Sequence, residues 1–131
     1  MAQISCLAGI QADRIEMFTD ILRDLGKLGP AHVSRFNIAE LSRLKPAIVI
    51  SDVDDGTQAT PLEMLRQLRF VLADSFIAVY TDTATRAWAV SCHNAGVNCV
   101  LLKSSTPAEI ADGIYLGLQS GCFTDTHVAA A

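Results

Sequence analysis

Apolar and polar positions along this chain follow two alternating rhythms. Ile4–Leu7, Ala47–Ser51, Phe76–Tyr80 and Asn98–Leu102 are short, nearly unbroken apolar runs. Between them, apolar residues recur every three or four positions. The first rhythm predicts strands covered on both faces, and the second predicts amphipathic helices. His32–Phe36 is a weaker strand candidate. Ile15, Phe18, Ile21, Leu22 and Leu25 mark a helix that opens near Asp13, with Glu16 in capping-box position and Gly26 as its stop. Asn37 and Glu40 open a short helix carrying Ile38, Leu41 and Leu44, which Pro46 closes. Thr60-Pro61-Leu62-Glu63 and Thr106-Pro107-Ala108-Glu109 give the same start signal twice: a cap, proline at the first helical position, then glutamate. A further helix spans Ala84–Asn94, ahead of Gly96. Strands alternating with helices in this way predict one parallel sheet with helices on both faces.

Composition narrows the function. The chain has 131 residues, half of them hydrophobic and 18% charged, which suits one compact domain. We place that domain at residues 1–121, with 122–131 as the start of a C-terminal linker or tail. The net charge of −4 gives no general attraction to nucleic acid or an anionic membrane, so DNA would be contacted only through a further C-terminal domain. Cys6, Cys92, Cys99 and Cys122 form no Cys-x-x-Cys pair and read as buried free thiols of a cytoplasmic protein. No signal peptide or membrane span is expected. His32, His93 and His127 lack metal-ligand spacing.

The candidate chemistry lies at the ends of the apolar runs. Asp52, Thr81 and Lys103 each follow one of them. Polar residues at the carboxyl ends of neighbouring parallel strands are where open α/β sheets build their sites. A carboxylate, a hydroxyl and an amine are therefore expected to meet there. One reading is a structural ion pair of Asp52 with Lys103. Asp54 and Asp55 are further carboxylates that could draw a cation to the loop. Trp88, near Arg86, is a candidate aromatic anchor for a partner.

The segment from Ala95-Gly96-Val97 through Leu101-Leu102-Lys103 to Ser104-Ser105-Thr106-Pro107-Ala108-Glu109 resembles the receiver domain of bacterial two-component response regulators. Gly121-Cys122-Phe123 resembles the same family's exit from its last helix. The subgroup it is most similar to carries a helix-turn-helix DNA-binding domain after the receiver. The resemblance implies an α/β flavodoxin-like three-layer sandwich: five parallel strands in the order 2-1-3-4-5 and five helices, the first and fifth on one face. It also implies that Asp52 stands at the phosphate acceptor, Thr81 at the hydroxyl that senses the phosphoryl group, and Lys103 at the lysine that pairs with it.

The chain departs from that pattern where the family holds Mg²⁺. Two acidic residues are expected after the first strand, and Ala8-Gly9-Ile10-Gln11 stands there instead. Asp82 replaces a small residue, Val100 replaces the aromatic switch residue, and Asp55-Gly56-Thr57 lacks the usual proline. The expectation is an atypical receiver without enzymatic activity or cofactor. It would serve as a signalling and dimerisation module of a transcription regulator, independent of phosphorylation, with Trp88 and Val100 as interface candidates and a homodimer as the assembly. The alternative is a working phosphoacceptor that takes phosphate on Asp52 from a sensor histidine kinase with Mg²⁺. A small flavodoxin-like nucleotide-binding enzyme is the alternative of another class, and the single glycines Gly9 and Gly56 make a poor phosphate loop for it.

Overall fold

The computed structural model describes residues 4–26, 31–34, 37–54, 61–82 and 84–128. Along the chain run β1 (Ser5–Ala8), α1 (Ala12–Asp24), β2 (Ala31–Ser34), α2 (Ile38–Leu44), β3 (Ile48–Asp52), α3 (Pro61–Val71), β4 (Phe76–Thr81), α4 (Arg86–Asn94), β5 (Cys99–Leu102), α5 (Pro107–Ser120) and β6 (Phe123–Thr124). The strands pair in the order β2-β1-β3-β4-β5-β6, every pair parallel. The flavodoxin-like order 2-1-3-4-5 is present, and β6 extends it.

That sixth strand, two residues long, adds an edge to the five expected. Gly121 takes a φ of 85° at the end of α5, a conformation open to glycine because it has no Cβ. The chain then returns along the edge of β5. Phe123 N donates to Asn98 O (2.8 Å) and Asp125 N to Val100 O (2.9 Å). The boundary drawn after Gly121 thus falls between α5 and β6. Gly113 makes the close approach possible, since a Cβ there would lie 2.7 Å from the Phe123 ring.

Caps explain most helix starts. Asn37 Oδ1 accepts from Glu40 N (3.0 Å). Thr106 and Glu109 form a full capping box at α5. Thr85 Oγ1 accepts from Trp88 N (3.1 Å), so α4 opens at Arg86, two residues later than expected. The Thr60 cap lies outside the described residues. In α1 the Asp13–Glu16 capping box is corrected: Gln11 is the cap, without a side-chain bond, and Asp13 lies in the first turn.

Alternation along each strand sends side chains to opposite faces. On one face, Leu7, Ile48, Ile50, Ala78, Tyr80 and Leu101 pack under α1 and α5 through Phe18, Leu22, Ile110 and Ile114. On the other, Cys6, Val49, Ile77, Val79 and Val100 pack under Leu41 of α2, Leu65 and Leu68 of α3, and Cys92 of α4. Cys6, Cys92 and Cys99 are buried free thiols, but Cys122 is exposed, because it sits in the turn between α5 and β6. Among the described residues no helix is long and apolar enough to cross a membrane.

Away from the candidate site, Arg69 on α3 locks the amino-terminal end of the sheet. Its guanidinium donates to the carbonyls of Gly96, Leu72, Ala73 and Ser75 and to Asn98 Oδ1. Asn98 Oδ1 also accepts from Ile77 N, and its Nδ2 donates to Gly121 O. Arginine suits this junction because its planar fork offers five donors.

Candidate functional site

The parallel register brings the predicted residues together. Asp52 ends β3 beside Tyr80, Thr81 ends β4 beside Leu102, and Lys103 follows directly. The ladder continues past the strands: Val53 N donates to Tyr80 O (3.4 Å) and Lys103 N to Thr81 O (2.8 Å). Parity sorts the side chains. Asp52 continues the series of Ile48 and Ile50, and Lys103 that of Cys99 and Leu101, so both rise on the α1–α5 face. Thr81 continues Ile77 and Val79 on the opposite face.

Lys103 Nζ lies 2.8 Å from Asp52 Oδ2 and 3.2 Å from Asp54 Oδ2. Asp52 is 3% exposed and the Lys103 side chain 18%. Burial pulls the Lys103 ammonium toward neutrality, and the two carboxylates outweigh it, leaving its pKa above the ordinary lysine value. The ammonium also stands 5.8 Å from the Tyr80 ring centroid, within cation–π range. Tyr80 meets Phe18 edge-on, with ring centroids 4.9 Å apart. Its buried hydroxyl has no hydrogen-bond partner, and burial raises its pKa against the lowering pull of Arg14 and Lys103.

A short turn carries Asp54 back over the strand ends. Asp54 N donates to Asp52 Oδ1 (2.8 Å), the two-residue side-chain-to-backbone bond of an Asx turn. The Asp54 carboxylate then accepts from Thr81 Oγ1 (2.8 Å) and from the backbone amide of Asp82. One carboxylate thus joins β3, β4 and the residue after β5. Sequence reasoning placed Asp54 only as a possible cation ligand. The Asp-x-Asp spacing was the signal for the turn, but its direction depends on where β4 ends.

In front of the cluster lies a hollow of about 370 Å³, lined by Asp13, Arg14, Asp52, Tyr80, Asp82 and Lys103 among others. Magnesium takes oxygen ligands in near-octahedral geometry. Both Asp52 oxygens and both Asp54 oxygens already face protein donors, and the four residues that follow β1 carry no carboxylate, Asp13 coming only in the first turn of α1. Among the described residues no group of three or more His, Cys, Asp or Glu is placed to hold a metal ion. Asp55 lies outside the described residues. The donor set of the described residues does not fit the ion.

No protein-family model matches the chain, and no curated protein matches it in sequence. Solved structures do. A LuxR-family two-component response regulator from Aurantimonas sp. SI85-9A1 superposes with a TM-score of 0.68 at 22% identity, over 95% of this chain and 89% of that one. The isolated receiver domain of RcsB from Salmonella enterica serovar Typhimurium, solved in the presence of the phosphomimetic BeF3-, gives a TM-score of 0.76 at 11% identity, over 96% and 95%. A CheY-like receiver domain protein from Methanospirillum hungatei JF-1 gives 0.70 at 15% identity, over 91% and 94%. This chain has the receiver-domain fold. At these identities the likeness is one of architecture, and residue roles rest on the geometry above.

One surface expectation comes out differently on this receiver fold. Val100 is 0% exposed and packs in the core under α3 and α4, so it cannot serve as an interface contact. A central strand position has no route to solvent. Trp88 is half-buried and packs against that same core from α4. Among the described residues, the exposed large apolar ones are Val90 on α4, Tyr115 and Leu116 on α5, and Phe70 on α3, the last 87% exposed.

The C-terminal segment is also tied down. Buried Asp125 accepts from Leu102 N (3.2 Å) and Ser105 Oγ (2.6 Å). His93 Nε2 lies 2.8 Å from Thr124 Oγ1, and His127 Nε2 lies 2.6 Å from Glu109 Oε2. The Thr106 amide and the His127 pairing hold Glu109 down at about 2, and Glu109 in turn raises the His127 pKa. These contacts carry no periodicity and so leave no trace in the pattern of apolar and polar positions.

Proposed function

We propose that this chain is an atypical receiver-type signalling domain that works through protein contacts rather than through phosphate on Asp52. One observation carries the reading: Lys103 is shared by Asp52 and Asp54 while Asp54 also takes the Thr81 hydroxyl. Each side chain that a phosphoryl transfer would use already has a partner. A domain held in one arrangement by its own side chains needs no covalent modification to populate that arrangement. In this reading the domain is a homodimerising module of a transcription regulator, and DNA is contacted by a separate domain. The exposed Val90, Tyr115 and Leu116 are its candidate contacts, in place of Val100.

The test is incubation with acetyl phosphate and Mg²⁺, followed by intact-mass measurement. The expected result is an unchanged mass. A stoichiometric gain of one phosphate that disappears in Asp52→Asn overturns the reading and favours a phosphoacceptor receiver served by a histidine kinase.

A further inference from the structure

Asp54 is the residue that the resemblance left without a role, and it is the centre of the site. Three donors of different kinds converge on its carboxylate: the Lys103 ammonium, the Thr81 hydroxyl and the Asp82 backbone amide. A cation, a hydroxyl and a main-chain amide together form a receptor for a small oxyanion. The donors come from separate elements, the end of β4, the residue after it, and the residue after β5. The sheet places the residues that carry them: Lys103 N is held on Thr81 O, and Thr81 is 3% exposed. The cradle therefore exists as a feature of the fold. The Asx turn at Asp52-Val53-Asp54 aims a carboxylate into it. Asp52, whose Oδ2 shares the same lysine, sits immediately beside this cradle.

The geometry points to Asp54 as a resident anion. Its tethered carboxylate fills the oxyanion cradle beside Asp52, closes it to inorganic phosphate and phosphoryl groups, and holds Thr81 and Lys103 in the arrangement that a bound oxyanion would otherwise impose. The inference deepens the reading above and rests on it for its functional meaning. Asp54 is a positioning residue: it acts through Thr81 and Lys103. Its side chain is 23% exposed, so it can leave the cradle without unpacking the core. A tethered group competes at high effective concentration, which is why free phosphate at ordinary concentrations does not displace it.

The test compares the wild type with Asp54→Ala and Asp54→Asn by two-dimensional NMR of the backbone amides and of the Lys103 ammonium, with inorganic phosphate as the probe. Thermal unfolding shows that each variant is folded, and Asp54→Asn, which keeps the shape, serves if the alanine variant is not. Without phosphate, the Asp82 amide and Lys103 resonances are expected to move in both variants, further in alanine. With phosphate, saturable shifts at Asp82 and Lys103 are expected in Asp54→Ala at a Kd at least about tenfold below any seen in the wild type. Adding Lys103→Met to Asp54→Ala is expected to abolish them.

Variant resonances that coincide with those of the wild type overturn the proposal, as do equal phosphate affinities in wild type and Asp54→Ala. Shifts that survive Lys103→Met also overturn it, since the anion would then bind elsewhere. Phosphate uptake by the wild type from acetyl phosphate instead sinks the functional reading. The phosphate-free spectra decide the hold of Asp54 on Thr81 and Lys103 separately.

Discussion

Replacing Lys103 by methionine removes the one cation between two carboxylates and keeps most of the side-chain volume. Asp52 is 3% exposed and loses its 2.8 Å partner. Asp54 loses its 3.2 Å partner, and two anions then face each other across a short turn. Breaking a buried pair by removing one partner costs about 3–5 kcal/mol. The 18% exposure of Lys103 and the remaining donors to Asp54 favour the lower end, near ~3 kcal/mol. That is a large share of the roughly 5–15 kcal/mol that holds a domain of this size folded.

The sign of the pH dependence follows. In the wild type the Lys103 pKa is raised above 10.5. Its contribution is full below that value and fades as pH rises through the folded-state pKa. In Lys103→Met the uncompensated charges are carboxylates, so the deficit is expected to shrink as pH falls into the range where carboxyls protonate. Urea denaturation at pH 7, 5.5 and 4.5 measures it. Adding Asp52→Asn to the methionine variant should restore part of the loss at pH 7. A deficit below about 1 kcal/mol at pH 7, or one that does not change with pH, would refute the argument that Lys103 neutralises buried charge.

Arg69→Met should cost at least about 2 kcal/mol in urea denaturation, because acceptors at the α3 end, Gly96 and Asn98 lose one shared donor group; Arg69→Lys should recover less than half, since one ammonium cannot span them. Gly113→Ala should destabilise the fold by about 1–3 kcal/mol despite its better helix propensity. The new Cβ meets Phe123, and hydrogen exchange at the Phe123 and Asp125 amides should speed up; unchanged exchange would mean that the ring simply shifts. His127 should titrate above 6.5 by NMR, and Glu109→Gln should bring it down. With a raised folded-state pKa, the His127 contact contributes below the unfolded value and is lost as pH rises through the folded one.

The strands were legible because buried parallel strands are written as apolar runs. Their carboxyl ends were not: β3 and β4 each run one residue further than the apolar run, through Asp52 and Thr81. A polar residue ends an apolar run without ending a hydrogen-bond ladder. Asp52, Thr81 and Lys103 could be named in advance because strand parity and parallel register put them at one end of the sheet. Asp54 could not, since its role depends on a turn that points across to β4. β6 is two residues long and has no period to read. Arg69 stands in no motif, and only the fold shows the carbonyls gathered around it. Val100 was misplaced for a related reason: the resemblance supplied a surface role at a position that this sequence fills with a small core residue.

What occupies the space beside Asp52 decides whether the cradle is filled by Asp54 or open to a phosphoryl group. A crystal structure determined in the presence of beryllofluoride and Mg²⁺ reads this directly. The predicted result is Lys103 Nζ still bridging Asp52 and Asp54, Thr81 still donating to Asp54, and no adduct on Asp52. A beryllofluoride group attached to Asp52, with Lys103 and Thr81 turned toward it and Asp54 displaced into solvent, would contradict it.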